Sequence, residues 1–215
     1  MMLLHLVKKD ILIAKKFVFA TMILIIAIPL FISAIDLLSF SNFLPFLYAV
    51  VLGELVLLQS ISQEEAKYPK APALLCAMPY SRSTFVKAKY ALFLFIFAYC
   101  CVTYTILLAI SKSNILDLNS ILIVLLCSVL IYGVYMPIEI KYGNVKAKFF
   151  FMIVVLTISW GPAIYFNLFA NINIDLTILT TIPLGIQNIV LAIASIVIFC
   201  ISMFTSIKIF EKKEL

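Results

Sequence analysis

Charge is scarce in this chain of 215 residues. Asp, Glu, Lys and Arg make up 12% of it, about half of the ~25% usual in soluble domains. Hydrophobic residues reach 65%, and a fold of this size has too little interior to hide them from water. With five glycines and eight prolines, collagen-like and linker-like chains are excluded too. His5 is the single histidine, so an H-E-x-x-H zinc site is excluded and a Ser-His-Asp triad lacks a histidine outside the basic N-terminal stretch. Glu64-Glu65 resembles the acidic pair of intramembrane prenyl-protein proteases, but the histidines those enzymes need are missing. Neither G-x-x-x-x-G-K-[ST] nor G-x-G-x-x-G occurs, so the chain has no phosphate cradle of its own. The five cysteines include no C-x-x-C pair. Cys100, Cys101, Cys127 and Cys200 lie in apolar runs and read as small hydrophobes.

What is present is a series of long uncharged runs. They extend over Phe17–Ile35, Tyr90–Ser111, Leu118–Ile138, Phe149–Ile174 and Leu176–Ile207, and Leu37–Gln63 is interrupted only by Glu54. About 20 helical residues cross the ~30 Å hydrocarbon layer. Strands of a membrane barrel would be about ten residues long and alternate in polarity; these runs do neither. The sequence predicts an all-α integral membrane protein. Its six transmembrane helices fall at about 17–36, 43–61, 88–110, 120–137, 149–169 and 186–207. The segment Asn171–Gly185 is left as an external connection.

An even number of spans puts both termini on one side. Met1–Lys16, Ser62–Lys89, Glu139–Lys148 and Lys208–Leu215 hold 15 of the 16 Lys and Arg residues, leaving Lys112 for the other side. Basic residues gather in cytoplasmic loops, so both termini and the 62–89 segment are expected in the cytoplasm. The formal charge of +6 therefore reports orientation rather than nucleic-acid binding. Residues 1–16 alternate apolar and basic positions at helical spacing, which predicts an interfacial helix leading into the first span. Phe17–Ile35 is longer than a cleavable signal core of about 7–15 residues, so it reads as a retained span.

Glu54 is the one charge placed within the bilayer. An acid near a helix centre costs about 2.5–3.5 kcal/mol on insertion scales, so Glu54 should face the protein interior or water. Two readings stand: contact with substrate or a gate, or pairing with a Lys or Arg at the cytoplasmic helix ends. The 62–89 segment is the most distinctive part of the chain. Gln63, Glu64 and Glu65 give an acidic start, Pro69 and Pro72 interrupt, and Ala71–Met78 forms a short, mostly apolar helix that Pro79 closes. Leu75 and Met78 then need a cover, either another protein or the membrane face.

Four stretches resemble the small six-span permease subunits of ABC-2 type exporters that lack a fused ATPase. They are LVKKDILIAKK before the first span, EEAKYPKAPALLCAMPYSRSTFVKAKY between the second and third, MPIEIKYGNVKAK after the fourth, and SIKIFEKKEL at the end. Met78-Pro79-Tyr80-Ser81-Arg82 and Lys89-Tyr90 occupy the places of the family's "Leu-Pro-x-Ser-Arg" turn and "Lys-Tyr", with Met for the usual Leu. The resemblance implies one transmembrane permease domain over 1–215, without catalysis, in a bacterial cell membrane. It also implies pairing with a second permease copy or a sister permease, and a separate ATP-binding subunit that carries ATP and Mg. Under it the 62–82 segment is the coupling helix. Glu64 and Glu65 form its acidic start, Lys67, Lys70 and Arg82 its charge contacts with the ATPase, and Tyr68, Leu75, Met78 and Tyr80 its buried anchors. A pathway lined by Phe, Ile and Leu suits amphipathic or lipid-like cargo such as peptides or antibiotics. Two other classes remain open at this point. A secondary transporter predicts inverted repeats and several intramembrane acids, and a non-transporting scaffold or sensor predicts a loop that recruits a partner.

Overall fold

The computed structural model describes residues 2–34, 43–67, 82–111, 116–143, 146–157 and 183–212. Its helices are α1 (Met2–Ile13), α2 (Lys15–Ala34), α3 (Phe43–Ala66), α4 (Arg82–Ser111), α5 (Leu118–Tyr142), α6 (146–157) and α7 (Leu184–Glu211). No strand occurs among the described residues. Four helices, α3, α4, α5 and α7, are long and apolar enough to cross a bilayer. A fifth crossing is formed if α1 and α2 count together, and these two meet at Ala14 with a bend of 85°. Ala14 itself is buried, and its carbonyl accepts the Val18 amide at 2.8 Å. The fifth predicted span begins in α6; its remainder and most of the predicted external connection lie outside the described residues.

Along α7 the distribution of polarity is inverted relative to a helix of a soluble protein. On α7 the fully buried residues are Ser195, Ser202 and Ser206, while Ile189, Ile193, Ile196, Ile201 and Phe204 are exposed. On α4, Phe95, Val102, Ile106 and Ile110 face outward in the same way. Lipid gives apolar side chains no reason to cluster, so membrane helices associate through small residues and interhelical hydrogen bonds. The α5–α7 contact, the most extensive between helices here, follows that rule. Gly133 of α5 lies against Ser202; a Cβ there would stand 3.3 Å from both Ser202 Cβ and Oγ.

Pro137 explains the position of Ser202. Having no N–H, a proline inside a helix frees the carbonyl four residues earlier, here that of Gly133. Ser202 Oγ donates to that carbonyl at 2.9 Å, replacing the missing partner from a neighbouring helix as lipid requires. Tyr90 Oη of α4 lies 2.6 Å from Ser202 Oγ and 2.9 Å from Ser206 Oγ. Because Ser202 spends its proton on Gly133, Tyr90 donates to Ser202 and accepts from Ser206. Three helices are thereby stitched together. The aromatic core beside them holds Tyr90 edge-on to Tyr132 and Phe199, with centroids 5.1 and 5.2 Å apart.

Candidate functional site

The lysine-rich end of the bundle is where α1, α3, α4 and α5 converge. The apolar run of α3 ends at Ile61, yet the helix continues through Gln63, Glu64 and Glu65 to Ala66. α5 likewise passes Pro137 and reaches Tyr142, ending at Gly143, whose φ of 77° is readily adopted only without a Cβ. Of the charges on these extensions, Glu65 and Glu139 turn inward rather than into a solvated loop.

Lys89 is the centre. Its Nζ lies 3.1 Å from Glu65 Oε2 on α3 and 3.0 Å from Glu139 Oε1 on α5. Ser62 Oγ donates to the same Glu139 oxygen. Lys9 of α1 adds a third cation–carboxylate contact, 3.5 Å from Glu65 Oε1, and its ammonium sits 4.8 Å from the Phe85 ring centroid. The side chains of Lys89 and Glu139 are 15% and 8% exposed, so the pair is screened from water and depends on mutual compensation. Tyr132 Oη donates to the Lys89 carbonyl at 2.9 Å, and Tyr135 Oη donates to Gln59 Oε1 at 3.0 Å.

Asp10 completes the cluster, 3.0 Å from Lys9 Nζ. That contact has ion-pair distance without hydrogen-bond alignment, so Asp10 Oδ1 has no hydrogen-bond donor among the described residues. Burial pushes the Asp10 carboxyl above the usual carboxylate range, and Lys9 offsets only part of the effect. In this cluster two lysines, Lys9 and Lys89, face three acids, Asp10, Glu65 and Glu139.

The residues predicted from sequence divide into four groups. Glu64 and Lys67 pair with each other at 2.6 Å, and Lys67 is 62% exposed; such a surface pair contributes little to stability. Glu65 instead points into the cluster. Tyr68, Lys70, Leu75, Met78 and Tyr80 lie outside the described residues, and Arg82 is described only as the first residue of α4. Glu54 is 3% exposed on α3, within electrostatic reach of Cys100, Cys101 and Tyr132. No cation among the described residues pairs with it, and its Oε1 has no hydrogen-bond donor there. Among the described residues no group of three or more His, Cys, Asp and Glu side chains is arranged to hold a metal ion.

Sequence reasoning placed Lys89 and Glu139 in the basic connectors and missed their pairing. The available signal was a charge of each sign within two residues of the predicted ends of neighbouring spans. Tyr90, Ser202 and Ser206 were also missed; polar side chains four residues apart in an otherwise apolar run were their trace.

Comparison with known proteins places this arrangement. A family model described as ABC-2 family transporter protein matches residues 5–211, nearly the whole chain and all of the described helices except the first three residues of α1. No curated protein and no solved structure gave a match. The chain belongs to the ABC-2 family of transporter proteins and is a permease of the ABC-2 type.

Proposed function

We propose that this permease forms half of the membrane pathway of an ATP-driven exporter and docks a separately encoded ATP-binding subunit. It crosses the cell membrane six times with both termini in the cytoplasm, and α1 lies in the inner interface. The 62–89 connector is the docking element. Glu64, Lys67, Lys70 and Arg82 supply its charged contacts, and Tyr68, Leu75, Met78 and Tyr80 anchor it in a groove of the partner. ATP and Mg are bound by that partner, not by this chain. A second permease, identical or a sister, supplies the other half of the pathway.

The observation that carries this reading is how the connector leaves the bundle. α3 runs unbroken through Glu64 and Glu65, and α4 starts at Arg82, so both ends of the connector are continuous with membrane-crossing helices. Movement of the connector on ATP-driven closure of the ATPases therefore tilts α3 and α4, a shift between two packings of the bundle. Glu54 lies on the moving α3 and is the group suited to meet a polar or cationic part of the cargo. The apolar faces suit amphipathic peptides, antibiotics or lipid-like molecules.

The test is co-purification of the tagged permease with its ATP-binding subunit. Wild type is expected to retain the subunit, and Leu75→Asp or Met78→Asp to lose it. Retention by both variants would refute the docking element. A complex that forms but moves nothing when ATP is supplied would indicate a scaffold.

A further inference from the structure

We infer that Lys89 and Glu139 act as positioning residues that lock the two ends of the 62–89 connector to α5 and α1, so that four helices move as one body when the connector is displaced. The inference rests on the docking reading above and adds the joint through which displacement spreads.

The connector enters the bundle at Glu65 and leaves it toward Lys89, and these two residues touch. A single ammonium thus clasps the root of the connector on both sides, joining residues 24 positions apart in sequence. The same ammonium reaches Glu139, 50 residues further on, and Ser62 closes the ring by donating to the same Glu139 oxygen. Lys9 attaches α1 through Glu65. Two neutral contacts also tie α5 to these helices, Tyr132 Oη to the Lys89 carbonyl and Tyr135 Oη to Gln59 Oε1, and the charged links are the ones that join all four helices at the connector root. With them, any displacement of α5 relative to the connector root must separate opposite charges screened from water, which is strongly resisted.

Two exposed reporters outside the docking contacts are available: Gln63 near the connector's start and Lys141 at the end of α5. Spin labels are attached at Gln63→Cys and Lys141→Cys in a background in which the five native cysteines are replaced by Ser or Ala. The permease–ATPase complex is reconstituted in phospholipid vesicles, with labelled permease diluted by unlabelled. The distance between labels is measured by pulsed dipolar spectroscopy with ADP and after vanadate trapping. In wild type the distance is expected to be the same in both states. In Lys89→Met and in the milder Glu139→Gln, the ATPase stays bound but the distance shifts between states. A wild-type distance that already shifts on trapping would overturn the joint, whatever the variants do. So would a distance that stays fixed in both variants. Failure of the wild-type permease to bind the ATPase at all would instead remove the docking reading, and the joint with it.

Discussion

Replacing Lys89 with Met is the sharpest perturbation of the cluster. It keeps the length and apolar stem but deletes the charge shared by Glu65 and Glu139, 3.1 and 3.0 Å away. Breaking a buried ion pair from one side costs about 3–5 kcal/mol, because the remaining charge is left uncompensated. Two features reduce the cost here. Lys9 remains 3.5 Å from Glu65, and Ser62 still donates to Glu139. We therefore expect a loss near the lower end, about 3 kcal/mol. Neutralising Glu139 as well removes the orphaned acid, so Lys89→Met/Glu139→Gln should recover about 1–2 kcal/mol of that loss, within the usual range for contacting residues. Equilibrium unfolding in mild micelles, by detergent titration or steric trapping, measures both variants. A loss below about 1 kcal/mol for Lys89→Met would mean that the pairs behave like exposed surface bridges, and the argument from burial would fall.

Gly133→Val should cost about 1–3 kcal/mol by overpacking, since even a Cβ would stand 3.3 Å from Ser202; an unchanged melting temperature in detergent would contradict the close α5–α7 approach. Glu54→Gln should leave the fold at least as stable, as no described cation holds the carboxylate; a loss above about 1 kcal/mol would reveal a cationic partner in the remaining segments. Asp10 gives a pH signature. Its folded-state pKa is raised, so its contribution is fully present below the ordinary Asp value of about 3.9 and is lost as pH rises through the folded value. Stability profiles of wild type and Asp10→Asn should therefore diverge in favour of the variant as pH increases, and parallel profiles would refute the buried acid.

The membrane character was legible from sequence, and so were the four helices long and apolar enough to cross a bilayer, α3, α4, α5 and α7, because uncharged runs of that length have one solution in lipid. The helix ends were not. The second span was expected to finish at Ile61 and the fourth at Pro137, where charges begin, but α3 continues to Ala66 and α5 to Tyr142. Charge marks a helix end only when water receives it. Here Glu65, Lys89 and Glu139 receive one another, across sequence separations that no local periodicity records. Pro137 misled for a related reason: its freed carbonyl is satisfied by Ser202 of α7, a partner 69 residues away. The family was recognisable from short motifs around the connectors, whereas the joint beneath the 62–89 connector required the three-dimensional arrangement.

Orientation underlies every part of the account, since the ATPase must reach the connector from the cytoplasm. Membrane-impermeant thiol reagent applied to Lys67→Cys and Lys146→Cys in a Cys76→Ser background tests it directly. Both positions are exposed. They should react only after the cells are opened. Reaction in intact cells would put the connectors outside and contradict the account.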